Sequence, residues 1–301
     1  MGINPAPTTS GLIELKTMLF KRSKEKELKM IWTVEKEAAR SHLVGTAHFF
    51  PHSFKTSLTR CLETARIVMF EGPLDQENMA RVVNSGLDRE SSYHLFDDLD
   101  RKTIDKITSE LAPACRGRNT FMVLNLRKFR VENPLYDLVK DMKPWLAFFT
   151  IWSNYLRKNG WKHSVDLEAY SIAEELGKKI KFLETIEDQI GVLESLTRDR
   201  IVAFLNRVGQ WHELARGYAD CYLAGDLARL KSQGLRFPSR HRSVINHRDK
   251  IFYDNMREHF TTGDAVAFVG APHVRGVSKL LGEAGFRING PTIPEDRNSS
   301  S

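Results

Sequence analysis

Two stretches, Leu43-Val-Gly-Thr-Ala-His48 and Ala267-Phe-Val-Gly-Ala-Pro-His273, share one design: a short apolar run of strand composition, a Gly, two residues and a His. Gly lets the backbone turn sharply where a strand stops, because no Cβ clashes with the turn. The His then stands just beyond the strand's carboxyl end, where open α/β sheets keep their ligands and chemistry. Two further apolar runs end in carboxylates, Arg66-Ile-Val-Met-Phe-Glu71 and Lys179-Ile-Lys-Phe-Leu-Glu184. Four strand-like runs therefore deliver two imidazoles and two carboxylates. The two Gly-x-x-His stretches are also an internal echo, too short to establish a duplication.

Working outward, Met30–Glu35 and Ser41–Gly45 pair as a β-hairpin that carries His48 at the end of its second arm. Pro51 stops the strand, and Ser53 is the expected N-cap of a helix over 54–64. The strand 67–70 follows, closed by the turn Glu71-Gly-Pro73. Strand, helix and strand together span about 30 residues, the size of a crossover that makes two strands parallel. Parallel strands would bring His48 and Glu71 to the same sheet edge.

Residues 75–175 read as mostly helical and rich in Phe, Trp, Tyr and basic residues; 75–165 is expected as a helical insertion that caps the pocket, the plainer alternative being ordinary helical packing. A helix over 166–177 follows, with Asp166 at its start and Gly177 as its C-cap. A helical stretch over 189–230 is punctuated by Gly225, a helix over 246–260 carries Arg248, and a buried strand over 265–269 leads to His273. A helix over 277–284 and a short strand at 286–288 close the domain. The expected organisation is a tail with a short helix over 11–21 (residues 1–29), one α/β domain over 30–290 with a mixed central sheet wrapped by helices, and a polar tail over 291–301.

Composition narrows the classes. A chain of 301 residues, 41% hydrophobic and 28% charged, is long enough for a full core and has globular composition. No window reaches the roughly 18 consecutive apolar residues of a membrane helix. The N-terminus has neither a secretory nor a myristoylation pattern. Cys61, Cys115 and Cys221 are never closely spaced, which argues against a disulfide framework or cysteine zinc site and favours a reducing cytoplasm. Residues 101–160 hold 12 Lys and Arg against 5 Asp and Glu, an excess equal to the net +7 of the whole chain. A second basic cluster comprises Arg236, Arg240, Arg242, Arg248 and Lys250. These clusters are either solvated helical faces or an electropositive mouth for an anionic substrate. No nucleic-acid-binding motif accompanies them.

Three chemistries are open to His48, His273 and Glu71. Two neutral imidazoles and a carboxylate are the ligand set of water-activating metal sites, and zinc, manganese or cobalt would suit it. Without metal, one His could act as general base with Glu71 orienting it. The third reading is a buried polar network without turnover. Glu184 either caps the next helix or faces the pocket, and Asp166 is either an N-cap or a pocket residue. Arg248 shares its helix with Ile251, Phe252 and Met256, so it needs a carboxylate partner or an anionic substrate.

These residues, in this order, resemble the TraB/GumN family, which includes the pheromone-shutdown proteins and Tiki proteases and is distantly similar to erythromycin esterases. The matching positions are Leu-Val-Gly-Thr-Ala-His48 with Pro51, Val-Met-Phe-Glu71, Lys143-Pro-Trp145, Val-Asp166 with Ala173 and Gly-Lys178, and Phe-Leu-Glu-Thr185 with Gln189. Arg248, Phe-Val-Gly-Ala-Pro-His273, Gly276, Leu280-Leu281 and Gly285-Phe286 complete the set, which spans roughly residues 30–290. The resemblance implies a mixed sheet wrapped by helices, with His48, Glu71 and His273 as the catalytic or metal-binding centre. Tiki members imply a metal-dependent peptidase; the esterase relatives imply a hydrolase without metal. Arg248 is expected to hold a substrate carboxylate or an oxyanion, and Glu184, Asp166 and Gln189 to bind a peptide or small-molecule substrate. Pheromone-shutdown members keep open a non-catalytic module that sequesters a peptide. Two departures stand out: Pro272 where Gly is usual, and Asp249 after Arg248 where Asn is more common.

Overall fold

A computed structural model of the chain describes residues 25–90, 95–112, 134–234 and 237–290. β1 (Ile31–Lys36) alternates, burying Trp32 and Val34, and returns through a tight turn to β2 (Ala39–Thr46) as an antiparallel hairpin. β3 (Ile67–Phe70) is buried throughout, and β5 (Ala265–Gly270) almost so. Both carry continuous apolar runs, as strands covered on both faces must. β4 (Lys179–Phe182) and the short β6 (Arg287–Asn289) are the exposed edges.

The six strands lie in the order β4-β3-β5-β2-β1-β6. β5 is parallel to both β2 and β3, β3 is parallel to β4, and β1 runs antiparallel to β2 and β6. This is a mixed α/β sheet wrapped by helices. The crossover from β2 through the helix Lys55–Glu63 to β3 leaves a gap of one strand, and β5 fills it. Thr46 is paired with Gly270, and Phe70 with Phe268. The carboxyl ends of three strands distant in sequence thus finish side by side.

Several helix limits differ from the sequence-based expectation, each for a local reason. Phe54, rather than Ser53, is the N-cap of Lys55–Glu63; Ser53 Oγ instead accepts from the Lys55 N–H and donates to Glu168. Ser164 caps the helix Val165–Glu175 by accepting from the Leu167 N–H, so Asp166 lies inside its first turn rather than capping it. The stretch after Gln189 is divided among Ile186–Glu194, Arg198–Leu205, Trp211–Ala224 and Leu227–Gly234, with Gly225 at φ 72° ending the third. The next helix begins at Arg242 and runs to Thr262. The last one, Ala271–Glu283, begins six positions earlier than expected. Pro272 is the cause: its fixed φ and missing N–H suit the first helical turn, so it starts a helix in the stretch expected to lie between the strand over 265–269 and the helix over 277–284. The expected helix over 11–21 and much of the basic segment over 101–160 lie outside the described residues.

The aromatic residues of the helix Pro144–Lys158 are largely core. Trp152 packs edge-on to Phe204 and Trp211 at ring-centroid distances of 5.1 and 5.5 Å, and Phe148 meets Phe204 at 5.3 Å. Tyr222, fully buried, donates its hydroxyl to the Gly45 carbonyl at 2.6 Å and so anchors the last turn of β2. Among the described residues, no helix is long and apolar enough to cross a membrane.

Candidate functional site

The common edge of β2, β3 and β5 gathers the expected residues into two linked groups. Glu71, one residue past β3, joins them. Its Oε1 accepts the Gly270 N–H at 2.6 Å, and its Oε2 accepts from Arg248 Nη2 at 2.8 Å. Arg248, from the helix Arg242–Thr262, also donates from Nε and Nη2 to the two oxygens of Glu184 at 3.0 and 2.6 Å. Its Nη1 lies 3.1 Å from His273 Nε2, and its guanidinium sits 4.9 Å from the Phe252 ring centroid. Four of the five N–H bonds of a guanidinium are thereby engaged. Arginine can only donate, so His273 Nε2 must carry the lone pair and Nδ1 the proton. That proton goes to Asp249 Oδ1 at 2.6 Å.

Asp249 was read in the sequence only as a departure from Asn. It is buried, and it orients His273 as the carboxylate of a carboxylate–histidine pair does. Gly276 makes room for it: a Cβ there would overlap the Asp249 carboxylate. No local pattern in the sequence points to this pairing, because the partners sit on different helices.

The second group opens to solvent. His48 has a side chain that is 69% exposed, and its Nδ1 pairs with Asp166 Oδ2. The Asp166 side chain is only 9% exposed, and its Oδ1 is buried without a hydrogen-bond partner among the described residues. A small pocket lies against this pair. His48, Glu71, Asp166 and Gln189 line its polar side, and Phe70, Leu74 and Phe268 its apolar side. Gln189 lies over the backbone of Gly72, where any Cβ would overlap its amide. Among the described residues, none of the pocket lining comes from 75–165, the segment expected as a cap, and part of that segment lies outside them.

Charge separates the two acids and bases. Burial pushes the Glu71 carboxyl up, but the Arg248 guanidinium above all, with His273, His48 and the Gly270 N–H adding to it, overcomes this and holds the group down at about 2. Glu184 is raised by burial, against the opposing pull of its Arg248 contacts. Burial acts to lower Arg248, yet its two carboxylates raise it above its ordinary value. The Asp166 carboxylate raises His48 to about 9, with Glu71 adding to the effect and Arg248 opposing it.

The three residues expected as metal ligands are not grouped for an ion. The guanidinium of Arg248 contacts both Glu71 and His273, so a side-chain cation already bridges these two donors. The one lone pair of the His273 ring faces Arg248, and both Glu71 oxygens accept N–H bonds. Among the described residues, no cluster of three or more His, Cys, Asp or Glu could hold a metal. The residues present therefore do not fit a divalent ion. Nor is Arg248 open to a substrate carboxylate, being 13% exposed and held by two glutamates. Glu184 neither caps a helix, which Thr185 does, nor lines the pocket; it is the counter-ion of Arg248.

A model of the TraB/PrgY/gumN family matches residues 30–289. No curated protein and no solved structure matches the chain.

Proposed function

Since the chain belongs to the TraB/PrgY/gumN family, we propose that it is a hydrolase of peptide or ester bonds in which His48 is the general base for a water in the pocket. The observation that carries this reading is the His48–Asp166 pair: a buried carboxylate fixes one ring nitrogen while the other, on an exposed ring, faces no protein partner among the described residues. With Nδ1–H donated to Asp166, Nε2 holds the lone pair. It removes a proton from water as the water oxygen bonds to the acyl carbon. The resulting imidazolium returns that proton to the leaving nitrogen or oxygen as the acyl bond breaks. Such acid–base relays contribute about 10²–10⁴ in rate. Glu71 stays ionised beside it and stabilises the imidazolium without competing for the proton. Two groups whose environments push their pKa values apart in this way divide the roles. No step is routed through a metal, because the donor set does not fit one. A reducing, cytoplasmic setting belongs to the same reading, supported by Cys61 and Cys221, both buried and in no disulfide among the described residues.

The pH dependence tests it. The active form of His48 is neutral, so kcat/KM for a peptide or ester substrate rises with pH and levels off near His48's raised value of about 9. Asp166→Asn removes the negative charge that raises it. The rising limb then moves down toward the ordinary imidazole value of about 6.5, and the plateau falls by roughly 10²–10⁴ as the tautomer is lost. A limb that stays in place in Asp166→Asn means that His48 is not the base.

A further inference from the structure

We propose that the pocket beside His48 is a primary-ammonium site, in which the substrate presents a protonated amine to the Asp166 carboxylate. The proposal rests on the hydrolase reading for the bond being cleaved, but not for the binding itself.

Three observations point the same way. Asp166 lines the pocket, and its Oδ1 is buried with no hydrogen-bond partner among the described residues, while Oδ2 is held by His48. A buried carboxylate oxygen left bare calls for a donor, and a charged donor makes the stronger bond.

The second is charge. Glu71 and Asp166 both line the pocket, and among the described residues no Lys or Arg does. The guanidinium of Arg248, which contacts the lining residue Glu71, is bound to Glu71 and Glu184. Arg240, from the second basic cluster, is stacked 5.2 Å over the Tyr218 ring and is no pocket residue either. Glu71 is already matched by Arg248 and the Gly270 N–H, so the charge an entering group meets is set by Asp166 with the His48 imidazole in compensation, and a cation is favoured there over an anion.

The third is size and lining. The cavity has a volume of about 30 Å³, room for a head group no larger than one or two waters. Its apolar wall includes Phe70 and Phe268, whose rings stack at 5.1 Å with an interplanar angle of 11°. That wall suits the methylene or Cα-methyl stem that carries an amine. Gln189, a further lining residue, carries a side-chain amide whose carbonyl oxygen can act as a second acceptor.

The source of the amine can be a peptide α-amino group or an aliphatic side-chain amine; the recognising chemistry is the same. The test is calorimetric titration of the full chain near neutral pH with L-alaninamide, n-butylamine, N-acetyl-L-alaninamide and butyrate. Either free amine should bind at least about tenfold more tightly than the acetylated or anionic probe. Preference for alaninamide assigns an α-amine, and preference for butylamine a side-chain amine. In Asp166→Asn that advantage should disappear; Gln189→Ala, which leaves the buried pair intact, should reduce it. Equal binding of free and acetylated probes to the wild-type chain overturns the proposal whether or not either variant folds. Because the titration involves no turnover, amine binding without hydrolysis would sustain this inference and remove the hydrolase reading. Hydrolysis indifferent to acetylation of the substrate's amine would do the reverse.

Discussion

Arg248→Met lowers the stability of the folded protein by about 3–5 kcal/mol at neutral pH, the usual cost of removing one partner from a buried ion pair. The side chain is 13% exposed, and the change would leave Glu71 and the fully buried Glu184 side chain facing each other without a counter-ion. The pH dependence has a definite sign. In the wild type, Glu71 is depressed from 4.5 to about 2, so its contribution is complete above 4.5 and is lost as pH falls toward 2. In Arg248→Met both glutamates are raised above their unfolded values, so stability is best at low pH and declines as pH rises through them. The raised Glu184 already opposes this gain in the wild type, so denaturant midpoints measured between pH 4 and 7 should fall with pH more steeply in the variant than in the wild type. Parallel curves would mean that Arg248 does not neutralise this pair.

His48→Ala has its largest effect on rate rather than on folding. The ring is mostly exposed, so its removal lets water solvate Asp166, and the loss in stability stays near 1 kcal/mol. Turnover of a peptide or ester substrate should fall by about 10²–10⁴, with KM little changed, as expected when a group acts mainly in the transition state. A variant that keeps wild-type turnover would move the chemistry elsewhere on the sheet edge.

The sheet edge was legible in the sequence because its signals are local. Apolar runs, a following Gly and a terminal His or Glu mark where each strand stops, and β2, β3, β4 and β5 lie where those runs predict. The insertion of β5 between β2 and β3 was not legible, since strand order depends on contacts more than 190 positions apart. Asp166 illustrates a second limit. A Ser and an Asp close together at a helix start compete for the same capping role, and only the packed structure shows that Ser164 takes it and frees Asp166 for His48. In the sequence Arg248 calls for a carboxylate or an anion, but nothing local distinguishes the two. Glu184 and Glu71 supply the carboxylates. Pro272 did carry a usable signal, a Pro after a strand-ending Gly, which is the start of a helix as readily as a rigid loop.

The most direct measurement is the hydrolytic rate of the wild-type chain before and after exhaustive chelation, on one peptide or ester substrate under single-turnover conditions. A His48–Asp166 base with Arg248 bridging Glu71 and His273 predicts the same rate in both, and no gain when zinc, manganese or cobalt is added back. A rate abolished by chelation and restored by one of those ions would contradict it, and would require Arg248 to leave its place between Glu71 and His273.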